Sequence, residues 1–227
     1  GGTGADGSAL ASCELYDPVS RTWSSTGSLA VGRIASTYTL MKNGKVMAAG
    51  GMDSHRNDSI CEIYDPDSRK WKLAAPPITG RVYAMAITLP NGELLLIGGS
   101  SPKTELFATC EIYNPVTGAW RSAAPLSYRL TAYPLTRQIA TSLPGGKVLV
   151  AGGFTGTEGS GRSYPISNAQ LYDPETDTWS ANPDLQRPRW IHTATPLDNG
   201  KVLLVGGKDD KGVTSSIEVY DPFRTAP

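Results

Sequence analysis

A Tyr-Asp-Pro motif followed by Trp recurs along this chain, and this repeat constrains the fold more than any other feature. In every complete copy the Trp lies seven residues after the Tyr. The complete copies are CELYDPVSRTW from Cys13, CEIYDPDSRKW from Cys61, CEIYNPVTGAW from Cys110 and AQLYDPETDTW from Ala169. A truncated copy, IEVYDP, begins at Ile217. A period of about fifty residues indicates one supersecondary unit that repeats, as in β-propellers.

A second motif lies between successive copies of the first. It is a short apolar run between a turn pair that ends in Gly and a Gly-Gly pair, as in NGKVMAAGG, NGELLLIGG, GGKVLVAGG and NGKVLLVGG. Asn-Gly between apolar runs predicts a β-hairpin in which both turn residues take a positive φ. The repeat therefore predicts four antiparallel strands: A before this turn, B ending at Gly-Gly, C with the Tyr and D with the Trp. Four such strands form one propeller blade.

Together, the Arg-x-x, NGKVLVAGG, EIYDP and Trp elements resemble the kelch repeat, and the resemblance covers essentially the whole chain. The repeats are most similar to those of bacterial kelch proteins and of the kelch domain of galactose oxidase. The resemblance implies an all-β propeller of four-stranded antiparallel blades, with about four to five repeats in a single domain over residues 1–227. The expected repeat units are about 1–29, 30–77, 78–126, 127–185 and 186–227.

The number of blades is open to two interpretations. The N-terminal C and D strands could pair with C-terminal strands and close a four-bladed ring. Alternatively the chain is part of a larger propeller, which we favour because kelch rings usually carry more than four blades. An open ring would expose unpaired strand edges, which invite assembly with another chain. Self-association through the terminal strands is therefore a further expectation.

Composition excludes several partners. The chain has 21 Lys and Arg against 21 Asp and Glu, with no basic block. A nucleic-acid partner is not expected, because binding of this kind needs a basic patch or stripe. Membrane insertion is not expected either, because no apolar run approaches the ~20 residues that a spanning helix needs.

The three cysteines occupy equivalent positions in the C strands of successive blades. Cys13, Cys61 and Cys110 should therefore lie too far apart for a disulfide, which tolerates a Cα separation of about 7 Å at most. The same distance argues against a shared metal site, and we interpret all three as buried thiols. Unpaired thiols are compatible with the cytoplasm, whereas the resemblance to kelch proteins favours an extracellular location.

The loops differ between the two faces of such a propeller. The A–B and C–D turns are minimal and share one face, whereas the B–C and D–A loops share the other, here called the loop face. The D–A interval from Trp to the second Gly of the turn is 26 residues after Trp120 and 21 elsewhere. The B–C interval from Gly153 to Tyr172 is 19 residues, against 13 or 14 elsewhere.

Both insertions flank one blade on the loop face. They bring six candidate binding residues toward one rim: Tyr128, Arg129, Tyr133, Arg137, Arg162 and Tyr164. Tyr and Arg are enriched at binding hot spots, and loops on a rigid scaffold commonly carry function. The alternative is that both are tolerated surface insertions.

An Arg lies ten residues before the turn Asn in three repeats, at Arg33, Arg81 and Arg189, whereas the inserted repeat has Leu135 there. Kelch domains that capture acidic peptides use arginines near this position, so the resemblance implies an anion-accepting mouth. The guanidinium fork suits carboxylates. Alternatively each Arg bonds backbone carbonyls between blades.

An enzymatic function has less support. The chain has two histidines, His55 in a B–C loop and His192 within strand A. His192 could line the central channel, although a packed strand residue is the simpler interpretation. Nothing matches the copper ligands of an oxidase. A sugar mutarotase would use Arg, Glu and His in the central pocket, and no paired carboxylates support that chemistry.

We therefore expect a non-enzymatic binding or scaffold module without a cofactor or a metal. The expected partner is a protein segment or a small polar or acidic ligand at the loop face. The alternatives are a kelch-type enzyme that acts on a sugar and a purely structural, self-assembling propeller.

Overall fold

The protein is all-β, and its four antiparallel blades are arranged as a propeller, which confirms the predicted fold class. The computed structural model describes residues 1–101, 108–127, 139–156 and 163–224. No helix occurs in these ranges, and so none that could cross a bilayer. The blades follow an N-terminal two-stranded hairpin formed by β1 (Glu14–Asp17) and β2 (Thr22–Ser25).

The first two blades are four-stranded, with their strands in sequence order across the sheet. Blade 1 consists of β3 (Thr37–Leu40), β4 (Val46–Ala49), β5 (Cys61–Asp65) and β6 (Lys70–Ala74). Blade 2 consists of β7 (Met85–Thr88), β8 (Leu94–Ile97), β9 (Cys110–Asn114) and β10 (Ala119–Ala123).

The last two blades each carry an extra hairpin in the B–C loop. Blade 3 consists of β11 (Ile139–Ser142), β12 (Val148–Ala151), β15 (Ala169–Asp173) and β16 (Thr178–Asn182), and its B–C loop forms β13 (Phe154–Gly156) and β14 (Ser163–Pro165). Blade 4 consists of β17 (Thr193–Pro196), β18 (Val202–Val205) and β21 (Ile217–Tyr220), and its loop forms β19 (Lys208–Asp209) and β20 (Gly212–Val213).

The A–B hairpins form where the Asn-Gly signal predicts them, but the turn differs in detail. Only the glycine of each pair takes a positive φ, for example 79° at Gly44 and 89° at Gly92. The Asn instead uses its side chain: Oδ1 of Asn43 accepts the N–H of Lys45 at 3.1 Å. The expectation that both residues adopt positive φ is therefore wrong, because this Asx hydrogen bond stabilises the turn in another way.

Gly-Gly ends strand B because the next blade approaches the backbone there. Gly51 has a φ of 88° and its N–H donates to the carbonyl of Arg81, in the next blade, at 3.0 Å. A Cβ atom on Gly51 would lie 1.9 Å from the Ser36 hydroxyl, which no side chain can accept. Glycine is thus required for both the dihedral angle and the space.

The hydrophobic core consists of three junctions between neighbouring blades, and all three are built alike. At each junction, side chains from strands B and C of one blade pack against strand B and the Tyr of the next. Between blades 2 and 3, for example, Ile97 and Ile112 belong to one cluster with Val148, Val150 and Tyr172. The blade 1–2 and blade 3–4 junctions repeat this arrangement at the equivalent residues.

The outer face of blade 4 carries apolar side chains at the positions that are buried in these junctions, but there they are exposed to solvent. Ile217 and Val219 are 66% and 53% exposed, whereas their blade 2 equivalents, Cys110 and Ile112, are 2% and 1% exposed. At the other end of the chain, β1 pairs with β2, while β18 pairs with β21. The terminal strands therefore do not pair with each other in the described part of the chain.

The three cysteines are free, as predicted, but Cys13 precedes β1 and is only partly buried, so the prediction of three buried thiols is wrong for this residue. Cys61 and Cys110 are buried, and burial raises the pKa of the Cys61 thiol to about 11 and that of the Cys110 thiol to about 12. Such thiols remain protonated and act as small hydrophobic side chains.

Candidate binding site on the loop face

On the loop face of blades 1, 2 and 4, the D–A loop is tied to the B–C loop of the same blade by a single β-bridge among the described residues. The bridges join Ile34 with Met52, Val82 with Ser100, and Trp190 with Lys208. Each bridge pairs the residue after the repeat Arg with the residue after Gly-Gly. The two loop types are therefore held side by side, which makes the loop face one continuous surface.

The residue after each bridge adopts a left-handed backbone conformation without being glycine. The φ angles are 57° at Ala35, 56° at Tyr83 and 48° at Ile191. A β-branched residue such as Ile191 is a genuine outlier in this region. Tyr83 and Ile191 are 44% and 38% exposed, so this strained backbone presents apolar side chains to solvent. Strain of this kind concentrates at functional sites.

The blade 3–4 junction carries an aromatic pair on the loop face, which the blade 1–2 junction does not have among the described residues. Phe154, which opens the inserted hairpin of blade 3, packs against Trp190 of blade 4 with ring centroids 4.7 Å apart. Lys208 places its Nζ 5.6 Å from the centre of the same indole ring, within cation–π range. Tyr164, on the second strand of the inserted hairpin, is 47% exposed. We call Phe154, Trp190 and Lys208 the aromatic corner; Tyr164 lies opposite Thr155 in the same hairpin, on the face away from Phe154.

The aromatic corner is a departure from the repeat. The pair equivalent to Phe154 and Trp190 at the blade 1–2 junction is Met52 and Val82. The two extra hairpins also meet here, because β14 contacts β19. The long B–C loop of blade 3 therefore lies beside large side chains at the positions after Gly-Gly and after the repeat Arg, namely Phe154 and Trp190.

The repeat arginines point into the blades rather than out of the mouth. Arg33, Arg81 and Arg189 are each 1% exposed. Nη1 of Arg81 donates to the carbonyl oxygens of Gly98 at 2.8 Å and Thr109 at 3.0 Å, and Nη1 of Arg189 bonds the equivalent carbonyls of Gly206 and Ser216. This supports the alternative of carbonyl bonding, although the carbonyls belong to the same blade and not to a neighbouring one.

A buried glutamate of strand C accompanies each of these arginines. The ion pairs are Arg33–Glu62, Arg81–Glu111 and Arg189–Glu218. Each glutamate also accepts backbone N–H groups of the D–A loop, such as those of Ile78 and Thr79 on Glu111 at 2.7 and 3.0 Å. Capture of a ligand by the arginines stays a prediction, and their internal partners favour a structural role.

Blade 3 replaces both members of this pair. Gln170 stands where the other blades have glutamate, just as Leu135 stands where they have arginine. The Gln170 side chain is buried, and its Oε1 accepts the N–H of Ser127 at 2.9 Å. Ser127 immediately precedes the D–A insertion, so a neutral amide holds the start of that loop where the other blades use a carboxylate.

The sequence predicted that His192 lies within strand A, but the residue lies one position before β17. It is 4% exposed, and neither ring nitrogen has a hydrogen-bond partner among the described residues. Burial, and secondly the charge of Arg189, lower the pKa of His192 to about 4. The ring packs beside Gly152 of blade 3, where a Cβ would lie 2.8 Å from its Cε1. This supports the interpretation of His192 as a packed residue.

Of the predicted rim residues, the structure describes Tyr164, whose side chain is 47% exposed. Its role in binding stays a prediction. Five others lie outside the described residues: Tyr128, Arg129, Tyr133, Arg137 and Arg162. Sequence reasoning did not single out Phe154, Trp190 or Lys208 as a site. The signal was available, because these residues occupy fixed positions next to Gly-Gly and the repeat Arg and differ there from the other repeats.

Within the ranges given above, no group of three or more His, Cys, Asp or Glu side chains is placed to hold a metal ion.

Comparison with known proteins places the repeat in a family. The Kelch motif matches residues 41–78, 81–127 and 137–186, which is more than half of the chain. Two similar curated proteins are F-box/kelch-repeat protein At1g67480 and F-box/kelch-repeat protein SKIP30, both of Arabidopsis thaliana. They are 38% identical over 78 residues and 37% identical over 79 residues, which is 34% and 35% of this chain. The matched segment spans only about a fifth of each relative, 19% and 20%.

A solved structure, that of YjhT, shares the fold. It superimposes with a TM-score of 0.77 over 96% of this chain and 75% of its own, at 16% sequence identity.

Proposed function

Because this chain belongs to the kelch-repeat family, we propose that it is a non-enzymatic protein-interaction module that binds a segment of a partner protein at the loop face. Its kelch relatives suggest a protein-interaction module. The finer assignment, to the loop face and to the aromatic corner within it, depends on the geometry of that face.

The aromatic corner is the observation that carries this proposal. Trp190 packs against Phe154 and lies within cation–π range of Lys208, and the half-exposed Tyr164 lies on the same inserted hairpin as Phe154. Trp and Tyr are enriched among the few residues that dominate an interface. Side chains held on paired strands lose less conformational entropy when a partner binds.

The aromatic corner also favours a class of partner. An apolar or aromatic side chain of the partner would pack beside Trp190 and Ile191, while Lys208 would favour a neighbouring acidic group. The proposed partner segment therefore contains an apolar anchor residue next to an acidic residue. The predicted arginines at the mouth are not needed for this, because their charges are already paired inside the blades.

A displayed library of linear peptides, selected on the immobilised chain, tests the proposal. Enriched peptides should bind Trp190→Ala at least about tenfold more weakly than the native chain, which corresponds to about 1.4 kcal/mol. Val116→Ala is the matched control, because Val116 is 92% exposed on a C–D turn, on the opposite face. Unfolding midpoints in urea verify that both variants fold.

The proposal fails if the library yields no peptide. It also fails if the selected peptides bind Trp190→Ala, Tyr164→Ala and Lys208→Ala as tightly as the Val116→Ala control.

A further inference from the structure

A pocket opens at the junction of blades 1 and 2, on the face opposite the loop face. It has a volume of about 350 Å³ and lies between the A–B turn and β6 of blade 1 and the C–D turn of blade 2. Its lining includes Ile63, Ala74, Tyr113, Pro115 and Gly118. Both blades that form it are four-stranded.

The next junction along the chain has a carboxylate at the equivalent place. Asp177 lies five residues after Tyr172, just as Gly118 lies five residues after Tyr113. Oδ1 of Asp177 accepts the Tyr172 hydroxyl at 2.7 Å and the N–H of Ala124, in the preceding blade, at 3.0 Å. At the blade 1–2 junction, Gly118 has no side chain that could make these two bonds.

The surrounding groups of the two junctions have the same geometry. The Trp120 indole donates to the carbonyl of Ala75 at 2.9 Å, and the Trp179 indole donates to that of Ala124 at 2.9 Å. In both blades the centroids of the paired Tyr and Trp rings lie 5.0 to 5.1 Å apart. The exchange of Asp for Gly118 is therefore a local change in a conserved frame of side chains, and it opens the pocket.

Two hydrogen-bond donors at the pocket have no acceptor among the described residues. Tyr113 is 3% exposed and its hydroxyl makes no hydrogen bond there, and the N–H of Ala75 makes none either. An atom at the Cβ position of Gly118 would lie 3.9 Å from the Tyr113 hydroxyl, so this donor faces the open space. Burial raises the pKa of Tyr113, which keeps the hydroxyl protonated. A buried donor without a partner is costly, and an acceptor that enters the pocket removes this cost.

The other groups around the pocket favour an anion with an apolar body. Lys45 and Lys72 line it together with one carboxylate, that of Asp65, which pairs with Lys45 at 2.8 Å. Lys72 lies directly opposite Ile63 in the sheet, so both side chains face the pocket side of blade 1. With Pro115 across the junction, Ile63 provides apolar contact area.

We propose that this pocket binds the carboxylate of a small organic acid. A carboxylate oxygen would accept the Tyr113 hydroxyl and the Ala75 N–H, as Oδ1 of Asp177 does with their counterparts at the next junction. Lys72 would add a favourable charge, and the apolar part of the acid would contact Ile63. A concave pocket of about 350 Å³ suits a small ligand.

This inference does not depend on the function proposed for the loop face, because the pocket lies on the opposite face and contains none of the aromatic corner. Either proposal can fail without the other.

Isocaproate, a branched aliphatic acid, is the probe, and its neutral amide, isocaproamide, is the matched control ligand. Titration of the native chain with isocaproate, followed by amide NMR, should shift the Ala75 signal saturably with a Kd of about 1 mM or tighter. Isocaproamide should bind at least about tenfold more weakly, because it lacks the charge that strengthens both hydrogen bonds.

The variant Gly118→Asp should supply the carboxylate from the chain itself. Gly118 has a φ of 71° and Asp177 has a φ of 51°, so Asp tolerates this backbone conformation. Gly118→Asp should no longer bind isocaproate and should unfold at a higher urea concentration than the native chain. Tyr113→Phe should bind isocaproate at least about tenfold more weakly. Tyr172→Phe, at the next junction, is the matched control and should bind it as the native chain does.

The inference is wrong if isocaproamide binds as tightly as isocaproate, or if Gly118→Asp binds isocaproate as tightly as the native chain. A saturating probe that shifts other amides and leaves the Ala75 signal in place also contradicts it. If Gly118→Asp does not fold, the comparison of Tyr113→Phe with Tyr172→Phe decides the test. Trp190→Ala should bind isocaproate like the native chain, which separates this test from that of the loop face.

Discussion

Arg81 and Glu111 form an ion pair inside blade 2, where their side chains are 0% and 4% exposed. The two residues lie thirty positions apart, at the start of strand A and on strand C. The guanidinium also donates to the carbonyls of Thr79, Gly98 and Thr109, and the carboxylate accepts two loop N–H groups. Because Glu111 lies on strand C and accepts hydrogen bonds from the D–A loop, this pair connects the loop face to the sheet.

Replacement of Arg81 by Ala should destabilise the chain by about 3–5 kcal/mol, because Glu111 is left as a buried, unpaired charge. The double variant Arg81→Leu, Glu111→Gln should recover more than half of this loss, because it copies the Leu135 and Gln170 pair of blade 3. Urea unfolding measures both. If the arginines mainly serve ligand capture, Arg81→Ala should instead leave the unfolding midpoint unchanged.

The reverse exchange in blade 3, Gln170→Glu, should destabilise the chain at pH 7 by about 1–3 kcal/mol, because it buries a carboxylate in a blade whose repeat Arg is replaced by Leu135. Burial should raise the pKa of that carboxyl above its unfolded value of about 4.3. The loss should therefore shrink as the pH falls toward 4. Chemical denaturation at a series of pH values tests this, and a loss that stays constant with pH would argue against a buried charge.

His192 predicts a second pH dependence. Its folded pKa of about 4 lies below the unfolded value of 6.5, so folding favours the neutral imidazole. The stability is present above pH 6.5 and falls between pH 6.5 and 4, by about 3 kcal/mol in total. His192→Ala, which copies Ala84 of blade 2, should remove this part of the pH profile. The exposed His55→Gln is the control and should leave the profile as it is.

Truncation to Ala should have different effects at an internal blade junction and on the exposed face of blade 4. Ile112→Ala at the blade 2–3 junction should destabilise the chain by about 2–5 kcal/mol, because it opens a cavity among packed side chains. Val219→Ala at the equivalent position of blade 4 should change stability by about 0.5 kcal/mol or less, because that face is exposed. Equal effects at the two positions would mean that the face of blade 4 is covered in solution.

Local signals predicted most of the fold correctly. Strand B begins and ends where the turn glycine and Gly-Gly indicate, as at Val46–Ala49 and Leu94–Ile97. The Tyr and Trp of each repeat pair across strands C and D. These features depend on residues within one hairpin, so the repeat alone is enough to predict them.

The candidate site was predicted only in part. The loop face and Tyr164 were identified from loop lengths, because an insertion is visible in the spacing of the repeats. The arginines were assigned to the mouth because their position along strand A was known but their partners were not. The sequence did contain a signal for that pairing. The repeats with the Arg have a glutamate two residues before the Tyr, whereas blade 3 has Gln170 at that position together with Leu135 in place of the Arg.

The sequence by itself determined the repeating blade, the order of its strands and the places where the repeat is interrupted, because turns and strand alternation are properties of short segments. The tertiary structure fixes which charges are buried and which aromatic rings meet. Arg81 meets Glu111 within blade 2, and Phe154 meets Trp190 between blades 3 and 4, across about thirty residues or more. Such outcomes depend on contacts between residues far apart in the chain, either within a blade or between neighbouring blades, which short-range patterns do not contain.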